Sequence, residues 1–173
     1  AGVVPDPERN RLVLFRDRFG IKPLYYVRNG SGLFFSSEIK PLLKAPGVHR
    51  ELDPDLLAAF FKYRYVPGER TIFKGIRKLP PASVLIQDTL SGDFSQETYW
   101  QWKFDENRNI TPSEAGEEFN RLFTDSVKIR LRSDVEVGSL ISGGIDSSAV
   151  ASAAAIHKPD IKLFTINFSE PKY

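Results

Sequence analysis

The chain has 173 residues, 41% apolar and 27% charged, with a formal net charge of +2. That composition suits one medium domain or parts of two rather than a disordered tail, and so balanced a charge argues for neither nucleic acid nor a membrane surface as partner. Cysteine is absent, which excludes a disulfide scaffold, a thiolate metal site and a cysteine nucleophile within these residues.

Two histidines, His49 and His157, are too few for an all-protein zinc site without carboxylates at suitable spacing. No apolar run is long enough to span a bilayer and no basic-then-apolar leader opens the chain, so a cytoplasmic location is expected.

In chain order, Val4 to Asn10 reads as a charged, proline-containing turn and Arg11 to Phe15 as a strand. A charged turn from Arg16 to Lys22 leads to a second strand ending at Val27. Arg28-Asn29-Gly30-Ser31-Gly32 then makes a hairpin connection, because Asn-Gly tolerates the left-handed backbone such turns require. Leu33 to Ser37 returns as a strand and Glu38 to Lys44 follows as a short helix. A helix is predicted over Asp53 to Tyr65, capped by Asp53, with Pro54 in its first turn and Leu56, Leu57, Phe60 and Phe61 on one face. Thr71 to Ile76 suggests a single helical turn, Ser83 to Gln87 a strand, Leu90 to Asp93 a turn, and Gln96 to Trp100 a further strand. The aromatics Tyr99, Trp100, Trp102 and Phe104 read as packing rather than as a base-stacking platform.

Residues 103–112 are polar and form the best linker. Thr111 or Ser113 then caps a long amphipathic helix that carries Phe119, Leu122, Phe123, Val127 and Leu131. Val135, Val137, Leu140 and Ile141 read as a buried strand, Ser147 to Ile156 as a helix, and Asp160 to Phe168 as a second strand; strand-helix-strand implies parallel pairing with a right-handed crossover.

The turn between that strand and helix, Ser142-Gly143-Gly144-Ile145-Asp146-Ser147-Ser148, has a location suited to phosphate. The first N–H groups of a helix lack internal acceptors and sit at the positive end of its dipole. Gly143 and Gly144 permit a tight turn with close backbone approach, and Ser142, Ser147 and Ser148 add hydroxyls. Asp146 either caps the helix or holds a cation such as Mg²⁺ against the phosphates. The alternative is a plain βα connection with a polar cap. Neither the Walker A pattern nor the Gly-x-Gly-x-x-Gly fingerprint is present.

The stretch from Leu131 to Ser148, with its Ser142-Gly143-Gly144-Ile145-Asp146-Ser147-Ser148 core, resembles the pyrophosphate loop of the glutamine-hydrolysing asparagine synthetases, members of the ATP pyrophosphatase superfamily. The first half resembles the same family in order. Arg16-Asp17-Arg18-Phe19-Gly20-Ile21-Lys22-Pro23-Leu24-Tyr25-Tyr26 and Phe35 to Lys40 are similar to the C-terminal part of its class II glutamine amidotransferase domain, and Tyr63 to Pro81 to the bridge that follows.

The resemblance implies an α+β N-terminal-nucleophile-type remnant, an antiparallel sheet over 1–102, followed after the 103–112 linker by the start of an α/β parallel-sheet ATP-pyrophosphatase domain over 113–173. It implies ATP and Mg²⁺ as cofactors, aspartate and glutamine as substrates, and no nucleic-acid or membrane partner; a homodimer is left open. Ser142, Gly143, Gly144, Asp146, Ser147 and Ser148 are assigned to pyrophosphate, Asp146 also to the metal, and the backbone of Leu140, Ile166 and Asn167 to the adenosine side. No catalytic residue is assigned, since the family's glutaminase nucleophile is an N-terminal cysteine. Arg16, Asp17 and Glu38 are read as structural ion-pair groups.

Three positions depart from the family pattern: Glu136 in place of proline, Ala82 in place of glycine, and Asn167 in place of glycine. The first two are read as changes in local stiffness, the third as a side chain that crowds the adenosine. With no initiator methionine and only one βαβ unit, an internal piece of a longer enzyme, inactive on its own, is expected. Two alternatives are another amidotransferase-linked adenylating enzyme of the β-lactam-synthetase type and a degenerate nucleotide-binding module; a nucleic-acid-thiolating relative is disfavoured by the first half.

Overall fold

A computed structural model describes residues 1–104 and 109–167. The chain forms two compact units that divide after Phe104. Part of the 103–112 linker and Phe168 lie outside the described residues; of the strand expected over Asp160 to Phe168, only Lys162–Phe164 forms.

The first unit contains β1 (Gly2–Asp6), β2 (Arg11–Phe15), β3 (Tyr25–Asn29), β4 (Gly32–Ser36), α1 (Ile39–Leu42), α2 (Pro54–Tyr63), β5 (Arg77–Lys78), β6 (Ser83–Asp88) and β7 (Phe94–Thr98). Its strands build two antiparallel sheets, ordered β1-β2-β6-β7 and β4-β3-β5. Leu14 on β2 and Leu85 on β6 share one buried cluster with Tyr26 on β3, Leu24 and Leu79, so the two sheets meet through a common core. A second cluster, Val27, Leu42 and Ile76, seats α1 on the other face of β3.

The turn expected at Val4 to Asn10 is instead β1 followed by a short turn, with Val4 paired to Val13 and Pro5 to Leu12. Proline is tolerated there because β1 is an edge strand. The helical turn expected at Thr71 to Ile76 is also replaced. Phe73 bridges to Leu52, and the Thr71 hydroxyl donates towards the carbonyls of Phe73 and Ile76, both at 3.0 Å, fixing a non-helical bend. Asp53 caps α2 as expected, accepting from the Leu56 N–H at 3.3 Å, and Arg64 closes the helix in the left-handed region at φ 64°.

The Arg16 to Lys22 turn is held from within. Arg16 is buried and, among the described residues, forms no ion pair; its guanidinium donates to the carbonyls of Leu79 at 2.7 Å, Lys22 at 2.9 Å and Gly20 at 2.5 Å. Gly20 sits at φ 63°, and a Cβ there would lie 2.8 Å from Pro81 Cγ and 3.0 Å from Arg16 Cζ, so only glycine lets the guanidinium close over the turn. The ion-pair role expected of Asp17 is likewise corrected: its carboxylate accepts from the N–H groups of Ile21 at 2.9 Å and Lys22 at 3.3 Å. Glu38 stands at the N-cap of α1 with no side-chain cap bond and, among the described residues, no ion pair. Short acceptors that match nearby N–H groups replace the charge pairing that the run of charges suggested.

The Ile21 N–H holds the Asp17 carboxyl below its ordinary range; the Arg70 side chain does the same for Asp53, and the Ser91 N–H for Asp88. A carboxyl lowered in the folded state contributes stability that is fully present above its unfolded pKa, about 3.9, and is lost as pH falls through the folded value. Urea unfolding followed by fluorescence should therefore show the midpoint falling as pH drops from 5 to 3. Asp17→Asn should flatten that fall, and identical pH profiles for the variant and the parent chain would remove Asp17 from this role.

Ala82 does more than alter stiffness. It is buried at φ 54°, a left-handed conformation that costs an L-residue roughly 1–2 kcal/mol. Its N–H donates to the Asp17 carbonyl at 2.9 Å and its carbonyl accepts from Tyr99 at 2.8 Å, so the conformation is imposed by pairing on both sides.

In the second unit lie α3 (Pro112–Arg130), β8 (Gly138–Leu140), α4 (Ile145–His157) and β9 (Lys162–Phe164). Thr111, not Ser113, caps α3 and forms a reciprocal box with Glu114. Val127 of α3 packs on Ala153 and Ala154 of α4, with Phe123, Leu131 and Ile161 around them. Strands β8 and β9 pair in parallel, Gly138 opposite Lys162 and Leu140 opposite Phe164. Gly138 is required for that approach, since a Cβ would lie 2.6 Å from the Phe164 ring. The buried strand expected from Val135 to Ile141 is corrected: only Gly138–Leu140 pairs, and Val135 and Leu140 are 76% and 81% exposed. Glu136 forms an exposed salt bridge with Lys162 at 2.9 Å, tying the approach to β8 against β9.

Candidate functional site

The Ser142 to Ser148 loop leaves the carboxyl end of β8 and enters α4 directly. Gly143 makes the turn at φ 80° with open space where a Cβ would be, and Gly144 is the extended N-cap. The glycines place the turn before Ile145, so Asp146 falls inside the first helical turn. It is therefore not the cap, which corrects one of the two roles its chemistry offered.

Ser147 braces the loop. Its hydroxyl donates to the Gly144 carbonyl at 3.1 Å and accepts from the Ser142 N–H at 3.3 Å. With the Ser147 proton committed to Gly144, the Ser142 hydroxyl is the donor in the 3.1 Å contact between the two side chains. The Ser148 N–H is used by the Gly144 carbonyl at 3.1 Å, while its side chain stays exposed. The early N–H groups of α4 have no helical acceptor, and they face outward at an exposed helix start. Such an arrangement can hold an anion on backbone dipoles with two hydroxyls at its rim.

A groove of about 550 Å³ opens beside the loop, lined by Leu140, Ile141, Ser142, Phe164, Thr165 and Ile166. It lies at the carboxyl ends of both parallel strands, joined there by the Ile141 N–H to Phe164 carbonyl bond of 2.8 Å. Open α/β sheets present ligand crevices at such ends. Of the residues assigned to the adenosine side, Leu140 and Ile166 line the groove; Asn167 is exposed and does not. Ile141, Phe164 and Thr165 were not singled out from the sequence, although the strand-end rule applied to the predicted βαβ unit points to them.

Among the described residues, no group of three or more His, Cys, Asp or Glu side chains gathers to hold a metal. Among the described residues Asp146 is the lone exposed carboxylate of the Ser142 to Ser148 loop. That donor set fits Mg²⁺, which takes one or two protein carboxylates and completes its shell with phosphate oxygens and water, and does not fit a structural zinc. No described helix is long and apolar enough to cross a membrane.

Comparison with known proteins gives two family matches in series. The model of a glutamine amidotransferase domain matches residues 1–100, and that of asparagine synthase matches residues 118–173. Among curated proteins, asparagine synthetase [glutamine-hydrolyzing] 1 of Bacillus subtilis is 36% identical over 94% of this chain and 26% of its own length. A putative asparagine synthetase [glutamine-hydrolyzing] 2 of Methanocaldococcus jannaschii is 32% identical over 97% of this chain and 33% of its own. Asparagine synthetase [glutamine-hydrolyzing] 3 of Bacillus subtilis is 35% identical over 98% of this chain and 28% of its own. The chain thus spans between about a quarter and a third of the length of these relatives. With the amidotransferase model matching more than half of its residues, the chain belongs to the glutamine amidotransferase domain family, and the asparagine synthase match follows it in series.

Proposed function

We propose that these residues are part of an enzyme that adenylates aspartate with ATP and amidates it with ammonia from glutamine, giving asparagine, AMP, pyrophosphate and glutamate. The observation that carries the proposal is the junction at β8: an apolar groove along the strand ends runs directly into a glycine turn at a helix N-terminus. An adenosine fits the first and a polyphosphate the second.

In this reading the groove walls at Leu140 and Ile166 flank the adenine, while the early N–H groups of α4, the Ser148 hydroxyl and the Ser142 hydroxyl, once it turns from Ser147 to the ligand, receive the β- and γ-phosphates. Ser147 keeps the loop in register through Gly144 and Ser142. Mg²⁺ would neutralise phosphate charge, and Asp146 would hold it. The aspartate carboxylate attacks the α-phosphorus and the bond to pyrophosphate breaks; ammonia then attacks the acyl carbon and AMP leaves. Positioning and charge stabilisation carry both steps, which accounts for a site with no evident general base. Glutamine hydrolysis requires a nucleophile that these 173 residues do not supply, since they contain no cysteine.

The test is pyrophosphate release by the full-length protein, assayed with ATP, glutamine and a panel of amino acids. Release that depends on aspartate and yields asparagine supports the reading. Release with a different carboxylate assigns another amidotransferase-linked synthetase, and no release with any acceptor assigns a nucleotide-binding module. The 173-residue chain alone is expected to complete neither half-reaction.

A further inference from the structure

The first unit contains a cavity of about 380 Å³ beside α2 and β3, remote in sequence from the loop and unused by the proposed chemistry. Arg64, Arg70 and Lys78 all line it, and no carboxylate does. Arg70 is satisfied by its salt bridge to Asp53. The other two cations are not: the exposed Arg64 side chain has no partner among the described residues, and the Lys78 ammonium has a single 3.4 Å contact, to the Val66 carbonyl. An ammonium carries three donors, so most of its hydrogen-bonding capacity is unused.

Burial first, then the neighbouring charge of Arg16, pushes the Lys78 pKa down, and no acidic side chain counters either effect. Tyr25 and Tyr65 also line the cavity, and neither hydroxyl makes a hydrogen bond among the described residues. Ile39, Phe60 and Ile72 supply apolar wall. Polar donors of one sign on an otherwise apolar lining are the general form of a small-molecule site, and the volume is in the usual range.

We propose that this cavity binds a small organic anion, with its phosphate or carboxylate held by Lys78 and Arg64 and a planar body between Tyr25, Phe60 and Tyr65. The anion supplies the counter-charge that the fold leaves out, through charge-assisted bonds that are stronger than neutral ones. The apolar lining gives a ring a reason to enter that an inorganic ion lacks.

The experiment is an amide NMR titration of the 173-residue chain with phenyl phosphate, benzoate and inorganic phosphate in turn. Saturable shifts at Tyr25, Arg64, Tyr65 and Lys78 with either aromatic anion are expected, and the tighter of the two identifies the headgroup. Lys78→Gln and Arg64→Gln should each weaken binding about tenfold. Shifts absent from these residues, inorganic phosphate binding as tightly as phenyl phosphate, or unchanged affinity in the variants would overturn the proposal. Should Lys78→Gln fail to fold, unchanged affinity in Arg64→Gln alone has the same force, because Arg64 is exposed and its head braces none of the described residues.

Discussion

Replacing Arg16 by methionine is expected to destabilise the first unit by about 3 kcal/mol, a large share of the total stability of a domain this size. The guanidinium donates to three carbonyls in different directions, those of Leu79, Lys22 and Gly20. The Leu79 bond is buried, so its carbonyl would be left without a partner, at roughly 1–3 kcal/mol. The Lys22 and Gly20 carbonyls are nearer water and lose less. Arg16→Lys separates shape from charge. A lysine keeps the charge but presents one compact head, which cannot span carbonyls that a planar fork reaches together. Urea midpoints should therefore fall in both variants, and full recovery by lysine would show that charge alone mattered.

The second large effect concerns Asp146. If the full-length protein carries out the proposed chemistry, Asp146→Ala should reduce ATP-dependent synthesis by about a hundredfold or more, on the scale of removing one electrostatic stabiliser of a transition state, while glutamine hydrolysis continues. The fold should survive, because Asp146 is exposed and does not cap α4. Metal dependence distinguishes the cause. If Asp146 holds Mg²⁺, Asp146→Asn should need more Mg²⁺ and recover part of its rate as the concentration rises. Synthesis unchanged in Asp146→Ala would take the residue out of the mechanism.

Local chemistry made much of this architecture legible. The hairpin between Asn29 and Gly32, the Asp53-Pro54 helix start and the Thr111-Glu114 box all depend on neighbours within a few residues, and each forms where the sequence places it, although it is Gly32 and not Asn29 or Gly30 that takes a positive φ at the hairpin. The misses have a common cause in partners far along the chain. Strand β1 was hidden by Pro5 and Asp6, which are acceptable only because β1 is an edge. Thr71 to Ile76 has helical spacing, but its bend is set by pairing with Glu51, Leu52 and Asp53. Arg16 and Asp17 sit in a run of charges, and nothing local says that Leu79 and Ala82 would come to meet them.

The loop shows the same division. That glycines between a strand and a helix favour an anion follows from backbone geometry alone, but the work of Ser147 does not. One hydroxyl looks like another in sequence; here Ser147 is spent on Gly144 and Ser142, the Ser142 hydroxyl donates to Ser147, and the Ser148 hydroxyl is left at the rim. The extent of β8 was overestimated because an apolar run reports hydrophobicity, not what covers it.

The sheet order β1-β2-β6-β7 has a consequence for the birth of the chain. Strands β1 and β2 leave the ribosome before β6, and Leu14 finds its partner Leu85 only when β6 emerges after the whole of β3, β4, α1, α2 and β5. Until then one edge of β2 offers unpaired backbone and an uncovered apolar face to any other nascent strand. Completion of the first unit is thus tied to synthesis of its last third. Slowing translation ahead of β6 should lengthen the aggregation-prone interval, whereas slowing it after β7 should leave that interval unchanged.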